Sequence, residues 1–459
     1  MRTVFAIIAV LAVAMTIAYN LKDTKSQIKE SKVSKKNKNS SLPEYETKTL
    51  ENGLQIVVIP MHNDSNVIST DIFYKVGSRN EIMGKTGIAH MLEHMNFKST
   101  KNLAAGEFDK EVKSVGGVNN ASTGFDFTHY YIKSSTQNLD KSLSLFAELM
   151  KNLNLKDDEF QPERNVVAEE RRWRTDNNPL GYLYFRLFNN AYVYHSYHWT
   201  PIGFMNDIQT WTLKDIQDFH KTYYQPKNAI LIVTGDVKAD DVFKAAKKEF
   251  EQIKNSVAIP EVKFIEPEQD GPKRVTIYKE SEVEMVAIAF HIPNFQDPDQ
   301  IKLSAISEML SSGKSSRLYS ELVDKKHLVN QIYAYNMENK DPGIFLFLAS
   351  CNPGVKAEDV EKEILSQIEL MKEKKVSQAE LDKVKINTKS EFIYSLESST
   401  SVANLYGSYL ARGDIKPLEE YEESINKLNV DDIQKAAQKY FDFSKSTTVI
   451  LRKKPQGEK

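Results

Sequence analysis

The 459-residue sequence contains one cysteine, Cys351, which excludes an intrachain disulfide framework and any multi-cysteine zinc or iron–sulfur site. A metal, if the chain holds one, must rest on histidine and carboxylate. Excess charge of either sign is missing too. Lys and Arg total 61 against 63 Asp and Glu, and a net charge of -2 lacks the electrostatic footprint of a nucleic-acid-binding protein. Gly at 18 and Pro at 15 are too sparse for a collagen-like or broadly disordered chain. No apolar run reaches the roughly 20 residues of a membrane-spanning helix. The longest, Val4 to Ile17 with only Thr16 polar, stops short.

What is present, 41% hydrophobic and 27% charged residues, suits a globular protein of two or three domains at about 150 residues each. Arg2 before the apolar run and the small residues Ala12, Ala14 and Ala18 describe a secretory signal, while Tyr19 and Leu21 could extend it into an anchor. Residues 1–21 are therefore expected to be a signal peptide or an N-terminal membrane anchor. Seven Lys between Lys22 and Ser41 make residues 22–43 a solvated, Lys-rich linker. Its positive charge disfavours translocation and keeps the anchored alternative open. The expected location is outside the cytoplasm: periplasmic, or anchored to the inner membrane facing the periplasm, with contact to the membrane only through the uncleaved segment.

Beyond Pro43 the pattern becomes regular. Asn52-Gly53 places a turn before the β-rich run to Ile59, and a second strand-like run spans Val67 to Val76. Leu139, Leu143, Phe146 and Met150 recur at helical spacing, as do Val360, Ile364, Ile368 and Met371. Wording repeats as well. Glu148-Leu-Met-Lys151 precedes Glu159-Phe160 by the interval that separates Glu369-Leu-Met-Lys372 from Glu380-Leu381, and Ile88-Ala-His-Met-Leu92 resembles Ile306-Ser-Glu-Met-Leu310. These echoes predict an internal duplication: an α+β chain of two homologous repeated domains, each a mainly antiparallel sheet covered by helices. The repeats are placed at 44–255 and 274–455, joined by a linker at 256–273 that contains Pro260, Pro267 and Pro272.

The segment that carries chemistry is Gly87 to Phe97. His90 and His94 stand four apart and would project from one helical face toward a shared ion. At about 100° per residue, Ile88, Met91, Leu92 and Met95 fall on one arc and His90, Glu93 and His94 on the opposite one. Satisfied core histidines would fall among the apolar positions, and a solvated face would be built from Lys, Glu and Arg. A third ligand is offered by Pro162 to Trp173, on a helix opened by Pro162. Glu163 and Glu170 share one side of that helix with Val166 and Val167, whereas Glu169 points away. Glu170 is the expected third ligand and Glu163 the residue that orients a ligand by hydrogen bonding. A salt bridge to Arg164 or Arg171 is the competing explanation of these carboxylates. The H-x-x-E-H order is the inverse of H-E-x-x-H and is the inverzincin signature.

These residues, with Leu50 to Gly53, Val76-Gly-Ser-Arg79, Gly116 to Thr123, Tyr224 to Asn228 and Ser316-Arg-Leu318, make the chain resemble the pitrilysin and insulinase family of zinc peptidases, in its processing-peptidase-like bacterial branch. The likeness runs from 43 to 455. It implies repeated α+β domains forming half of a clamshell chamber, the metal in the first repeat and one Zn(2+) per chain. It further implies a zinc-dependent endopeptidase acting on peptides or unfolded protein segments, with Glu93 as the catalytic acid–base. Substrate backbone would lie along an edge strand at Asn120, Ala121 and Thr123, by β-augmentation.

One departure matters. Active relatives carry an Arg and a Tyr seven apart after the Ser-Arg-Leu element, and here Val323 and Asn330 stand in those positions. Glu308, Ser311 and Ser312 replace the metal triad in the second repeat, which is therefore expected to be metal-free. The chain is expected to hold half a site, completed in a heterodimer by a metal-free homologous subunit, with a homodimer as the variant. The alternative function is a catalytically idle peptide-binding or scaffold subunit of the same fold. His195 and His198, beside Tyr197 and Trp199, are expected to be surface or packing residues.

Overall fold

The computed structural model describes residues 32–33, 40–61 and 65–454. The leader expected at 1–21 and most of the Lys-rich stretch lie outside the described residues. Among the described residues, no helix is long and apolar enough to cross a membrane.

Two mixed sheets organise the chain. The first contains β1 (Lys32–Val33), β2 (Glu46–Thr49), β3 (Gln55–Pro60), β4 (Val67–Tyr74), β5 (Val118–Thr123), β6 (Thr128–Ser135) and β7 (Ala229–Gly235), in the order β1-β2-β3-β7-β4-β6-β5. The second contains β8 (Lys273–Tyr278), β9 (Met285–His291), β10 (Val329–Asn336), β11 (Ile344–Cys351) and β12 (Thr447–Arg452), in the order β10-β11-β9-β12-β8. Read from β3 and from β8, the two orders are identical. Both start with one parallel pairing, β3 with β7 and β8 with β12, and continue antiparallel to an edge strand, β5 or β10.

The helices repeat too. In the first half α1 (Ile88–Met95) follows β4, and α2 (Leu139–Asn152), α3 (Asp157–Arg171) and α4 (Pro179–Ala191) follow β6. In the second half α5 (Gln300–Ser311) follows β9, and α6 (Ala357–Glu373), α7 (Gln378–Ser395) and α8 (Ser399–Arg412) follow β11. The duplication expected from the repeated wording is thus present in strand order, strand direction and helix placement.

Strand alternation decides which side chains meet which layer. Ile56, Val58, Ile72, Tyr74, Leu231 and Val233 enter one core with the first repeat's own helices. Their neighbours Val57, Ile59, Phe73, Ile230 and Ile232 pack instead against Val402, Ala403, Tyr406 and Tyr409 of α8, a helix of the second repeat. The exchange is reciprocal. Leu183, Leu187, Phe188 and Ala191 of α4 cover Ala287, Ala289, Ile344, Leu346, Val449 and Leu451 of the second sheet. Both faces of each central sheet are therefore dry, which is why β7 and β11 are buried along their whole length and carry unbroken apolar runs, Ala229 to Val233 and Ile344 to Ala349, rather than alternating. Gly407 permits the closest approach of α8: a Cβ there would lie 2.2 Å from the Phe73 ring.

Polar groups fasten the same joint. Asp341, in the β10–β11 turn, receives Arg79 Nε at 2.5 Å and His195 Nε2 at 2.9 Å. Asp126, in the β5–β6 turn, accepts from the Tyr197 hydroxyl at 2.5 Å and the Lys340 amide at 2.8 Å. His195 is only 2% exposed and packs here.

Candidate metal centre

Gly87, with φ of 83°, starts α1 in a left-handed conformation, and a Cβ there would lie 2.7 Å from the Ile202 carbonyl. The first amides of α1 are received by a buried carboxylate. Glu81 accepts from Gly87 N and Ala89 N, each at 2.8 Å, and from Trp199 Nε1 at 2.8 Å. Burial pushes the pKa of Glu81 up to about 8, and its three hydrogen bonds fix where α1 begins. Ile88, Ala89, Met91, Leu92 and Met95 are buried in the first core, and this burial turns His90, Glu93 and His94 toward α3 and β5.

Across from α1, the α3 helix starts at Asp157, with Asp157, Asp158 and Glu159 in its first turn. Pro162 lies inside the helix rather than opening it, because the acidic first turn already supplies the start. Val167 is buried, whereas Val166 is 50% exposed, so the stripe holding Glu163 and Glu170 is apolar on one side only.

Three donors converge between these helices. Glu170 Oε2 lies 3.4 Å from His94 Nε2 and 3.7 Å from His90 Nε2. Ligand atoms about 2.0–2.1 Å from a tetrahedral centre would be about 3.3 Å apart, so the spacing suits a zinc-sized ion. Among the described residues, His90, His94 and Glu170 form the one cluster of His, Cys, Asp or Glu with ligand atoms gathered within 4.8 Å. Arg174 Nη1 holds the other oxygen of Glu170 at 3.0 Å, leaving Oε2 to face the histidines. Glu163 Oε1 meets His94 Nδ1 at 2.8 Å, and its Oε2 meets Lys98 Nζ at 2.5 Å. The competing salt bridges form with neither Arg164 nor Arg171, whose guanidinium groups reach the Trp211 and Gly203 carbonyls.

The electrostatics suit an electropositive guest. Burial pushes His90 down to about 4, helped by the charge of His94. Burial also opposes the charge of His94, but hydrogen bonds to Glu163 and Glu170 overcome it and raise His94 to about 9. Glu170 is held below the usual carboxylate range, first by its bond to His94. His90 Nδ1 is buried without a partner. Two imidazole nitrogens and one carboxylate oxygen are the donor set of a catalytic zinc site, and these residues fit that ion.

Glu93 lies beside this cluster on α1. Burial raises its pKa, and the Thr123 hydroxyl, donating to Oε2 at 2.5 Å, partly offsets the rise. Thr123 ends β5, the edge strand on which Asn120 is exposed and Ala121 packs against the core. Asn120 Oδ1 accepts from the Ala121 amide at 2.9 Å. The sequence motifs thus name the residues that cluster here, while Glu81, Lys98 and Arg174 join only in three dimensions. Arg174 alone had a local signal, its position four residues beyond Glu170.

A duplicated α+β chamber wall with an H-x-x-E-H helix defines a class of peptidase-related proteins, and the comparisons agree. Residues 57–194 match the family model described as Insulinase (Peptidase family M16), and residues 210–388 match the Peptidase M16 inactive domain. The zinc protease PqqE of Helicobacter pylori is 58% identical over 416 residues, covering 90% of this chain and 94% of that protein. A crystal structure of a protease from Helicobacter pylori superposes with a TM-score of 0.88 at 57% identity, covering 90% of this chain and all of that one. The periplasmic protease PqqL of Escherichia coli shares the fold, with a TM-score of 0.73 at 19% identity, and this chain covers 47% of its length. The chain belongs to the M16 family of peptidases.

Proposed function

We propose that the chain is the metal-bearing subunit of a zinc-dependent endopeptidase that cleaves peptides or unfolded protein segments outside the cytoplasm. The observation that carries this is the convergence of His90 Nε2, His94 Nε2 and Glu170 Oε2 with Glu93 alongside. One bound zinc would supply electrophilic polarisation of the scissile carbonyl and acidify water. His90, His94 and Glu170 would hold it, and Glu163 orients His94 through Nδ1. Glu93 takes a proton from the attacking water and later gives it to the departing amine, a role suited to a carboxyl raised by burial. Thr123 keeps that carboxyl pointed at the site. The free edge of β5 at Asn120 and Ala121 receives substrate main chain without demanding particular side chains.

The second repeat supports a division of labour between subunits. Val323 packs against the second core, and Asn330 is exposed where β10 breaks register with β11. Neither supplies a cation or phenol to a substrate carbonyl. A second copy would carry the same Val323 and Asn330, so a metal-free homologous chain is the partner that completes the site. Zinc analysis with a quenched-peptide assay, on this chain alone and with candidate partners, tests the proposal. The expected result is one zinc per chain and turnover that rises when the partner is added. Robust turnover by the isolated chain would remove the partner, and a zinc-free preparation would remove the peptidase in favour of an idle peptide-binding subunit.

A further inference from the structure

The chain has three tryptophans, and the fold treats them differently. Trp199 and Trp211 are buried, whereas Trp173 is 73% exposed. Among the described residues, no ring or cation stacks on Trp173 and its indole N–H meets no acceptor. The cations on either side of it are engaged elsewhere, Arg172 with Glu169 and Arg174 with Glu170. Apolar residues scattered singly over a surface are ordinary, so exposure alone assigns no role. Rigidity and position do.

The backbone that presents this indole is clamped. Beyond α3 the helix widens into a π turn over Arg172–Asp176, where the Asn177 amide donates to the Arg172 carbonyl, five residues back, at 2.7 Å. Turns of this kind gather at functional sites. Arg171 and Thr175, on either side of Trp173, are buried. The Arg171 guanidinium lies 4.0 Å from the centre of the Phe185 ring on α4, and its Nε donates to Asp176 at 3.2 Å. A fixed turn carrying a free indole has little backbone freedom left to lose when a ligand arrives.

Helical arithmetic gives its position. With Glu170 at zero and about 100° per residue, Val166 and Trp173 fall roughly 40° and 60° to one side, and Glu163 and Val167 roughly 20° and 60° to the other. The second flank turns into the protein, since Glu163 meets His94 and Val167 is buried. Val166 and Trp173 therefore make an apolar ledge on the open flank. Residues three or four apart on a helix have Cβ atoms about 5–6 Å apart, so the ledge begins within a side chain's length of Glu170. It is continuous with the metal cluster, and a peptide whose scissile bond reaches that cluster must pass beside it.

We propose that Trp173, with Val166, is a specificity-determining surface, a ledge that receives a large apolar side chain of the peptide one or two residues from the bond held over His90, His94 and Glu170. The proposal rests on the peptidase reading above. Main-chain hydrogen bonds along β5 give affinity without choosing among side chains, and a rigid indole beside the cluster supplies the choice.

The Glu93→Gln protein separates binding from hydrolysis. Paired dye-labelled peptides differ only in phenylalanine or serine, scanned through successive positions, and affinity is read by fluorescence anisotropy. Phenylalanine is expected to bind about tenfold tighter at one or two positions. Because the other two tryptophans are buried, acrylamide quenching reports on Trp173, and the phenylalanine peptide should shield it. Trp173→Ala should erase the preference and leave serine-peptide affinity unchanged, which also reports that the variant is folded. Trp173→Phe, which keeps an aromatic face, should retain most of the preference. Equal affinity for both peptides, a preference that survives Trp173→Ala, or shielding of Trp173 by a partner chain and not by peptide overturns the ledge. In the chain that keeps Glu93, hydrolysis without the preference removes only the ledge, whereas a zinc-free chain that keeps the preference removes only the peptidase.

Discussion

The first repeat joins its α1 helix to its edge strand through Glu93 and Thr123, whereas the second joins α5 to β10 through Ser307 and Ser311, whose hydroxyls both reach the Ala334 carbonyl at 2.8 and 2.9 Å. The platform is the same, but its polar groups are satisfied differently. Serines bonded to a neighbouring carbonyl complete their own hydrogen bonding and ask for nothing more. In the first repeat His90 Nε2, His94 Nε2 and Glu170 Oε2 are instead turned toward one another, an arrangement that a cation would answer. Duplication therefore supplies a scaffold twice, and the residues at three helical positions decide whether it can hold a metal.

Several substitutions would break or sharpen this contrast. The largest effect is expected from Glu93→Gln, which should lower kcat about 10²–10⁴-fold while one zinc per chain is retained. Ser311→Ala, at the equivalent position of the second repeat, should leave turnover unchanged. Steady-state assays with atomic absorption check both, and near-native turnover by the Glu93 variant would erase the distinction between repeats. Glu163→Gln should weaken zinc binding about 10–100-fold in chelator competition, because the anionic acceptor that orients His94 becomes a neutral amide. The equivalent residue, Val384, is core packing, so Val384→Ala should change stability and not zinc affinity.

The joint between repeats gives smaller effects. Gly407→Ala should cost about 1–3 kcal/mol in urea unfolding, since the added methyl meets the Phe73 ring. Asp341 gives the smallest. Burial alone would raise its carboxyl, but His195 and Arg79 hold it at about 2. Because the folded pKa lies below the unfolded value of about 3.9, the stabilisation is present above that value and is lost as pH falls toward 2. Asp341→Asn should destabilise by about 1–2 kcal/mol at pH 7, allowing for its partial exposure. Its deficit relative to the native chain should shrink between pH 4 and pH 2, and a deficit independent of pH would assign the effect to packing.

The clustering of His90 and His94 with Glu170 was legible because helical spacing alone places His90, Glu93 and His94 on one face, and the same geometry separates Glu170 from Glu169. The duplication was legible from repeated short strings. The exchange of α4 and α8 was not, because periodicity reveals that a face is apolar without revealing which sheet will cover it. Arg164 and Arg171 were reasonable partners for the acidic pair on sequence distance, yet Lys98, on a different segment, reaches Glu163. Pro162 was misleading because proline favours a first turn, and here Asp157 to Glu159 start the helix earlier.

The crossed helices carry a consequence for how the polypeptide is born. The first sheet is complete at Gly235, but the helix that covers its far face starts at Ser399, roughly 160 residues later. At 5–20 residues per second a ribosome needs about 8–32 s to make that stretch. Throughout that wait Val57, Ile59, Phe73, Ile230 and Ile232 form a sticky, half-finished surface, so a nascent chain stalled in the second half is the species that a holding chaperone must recognise.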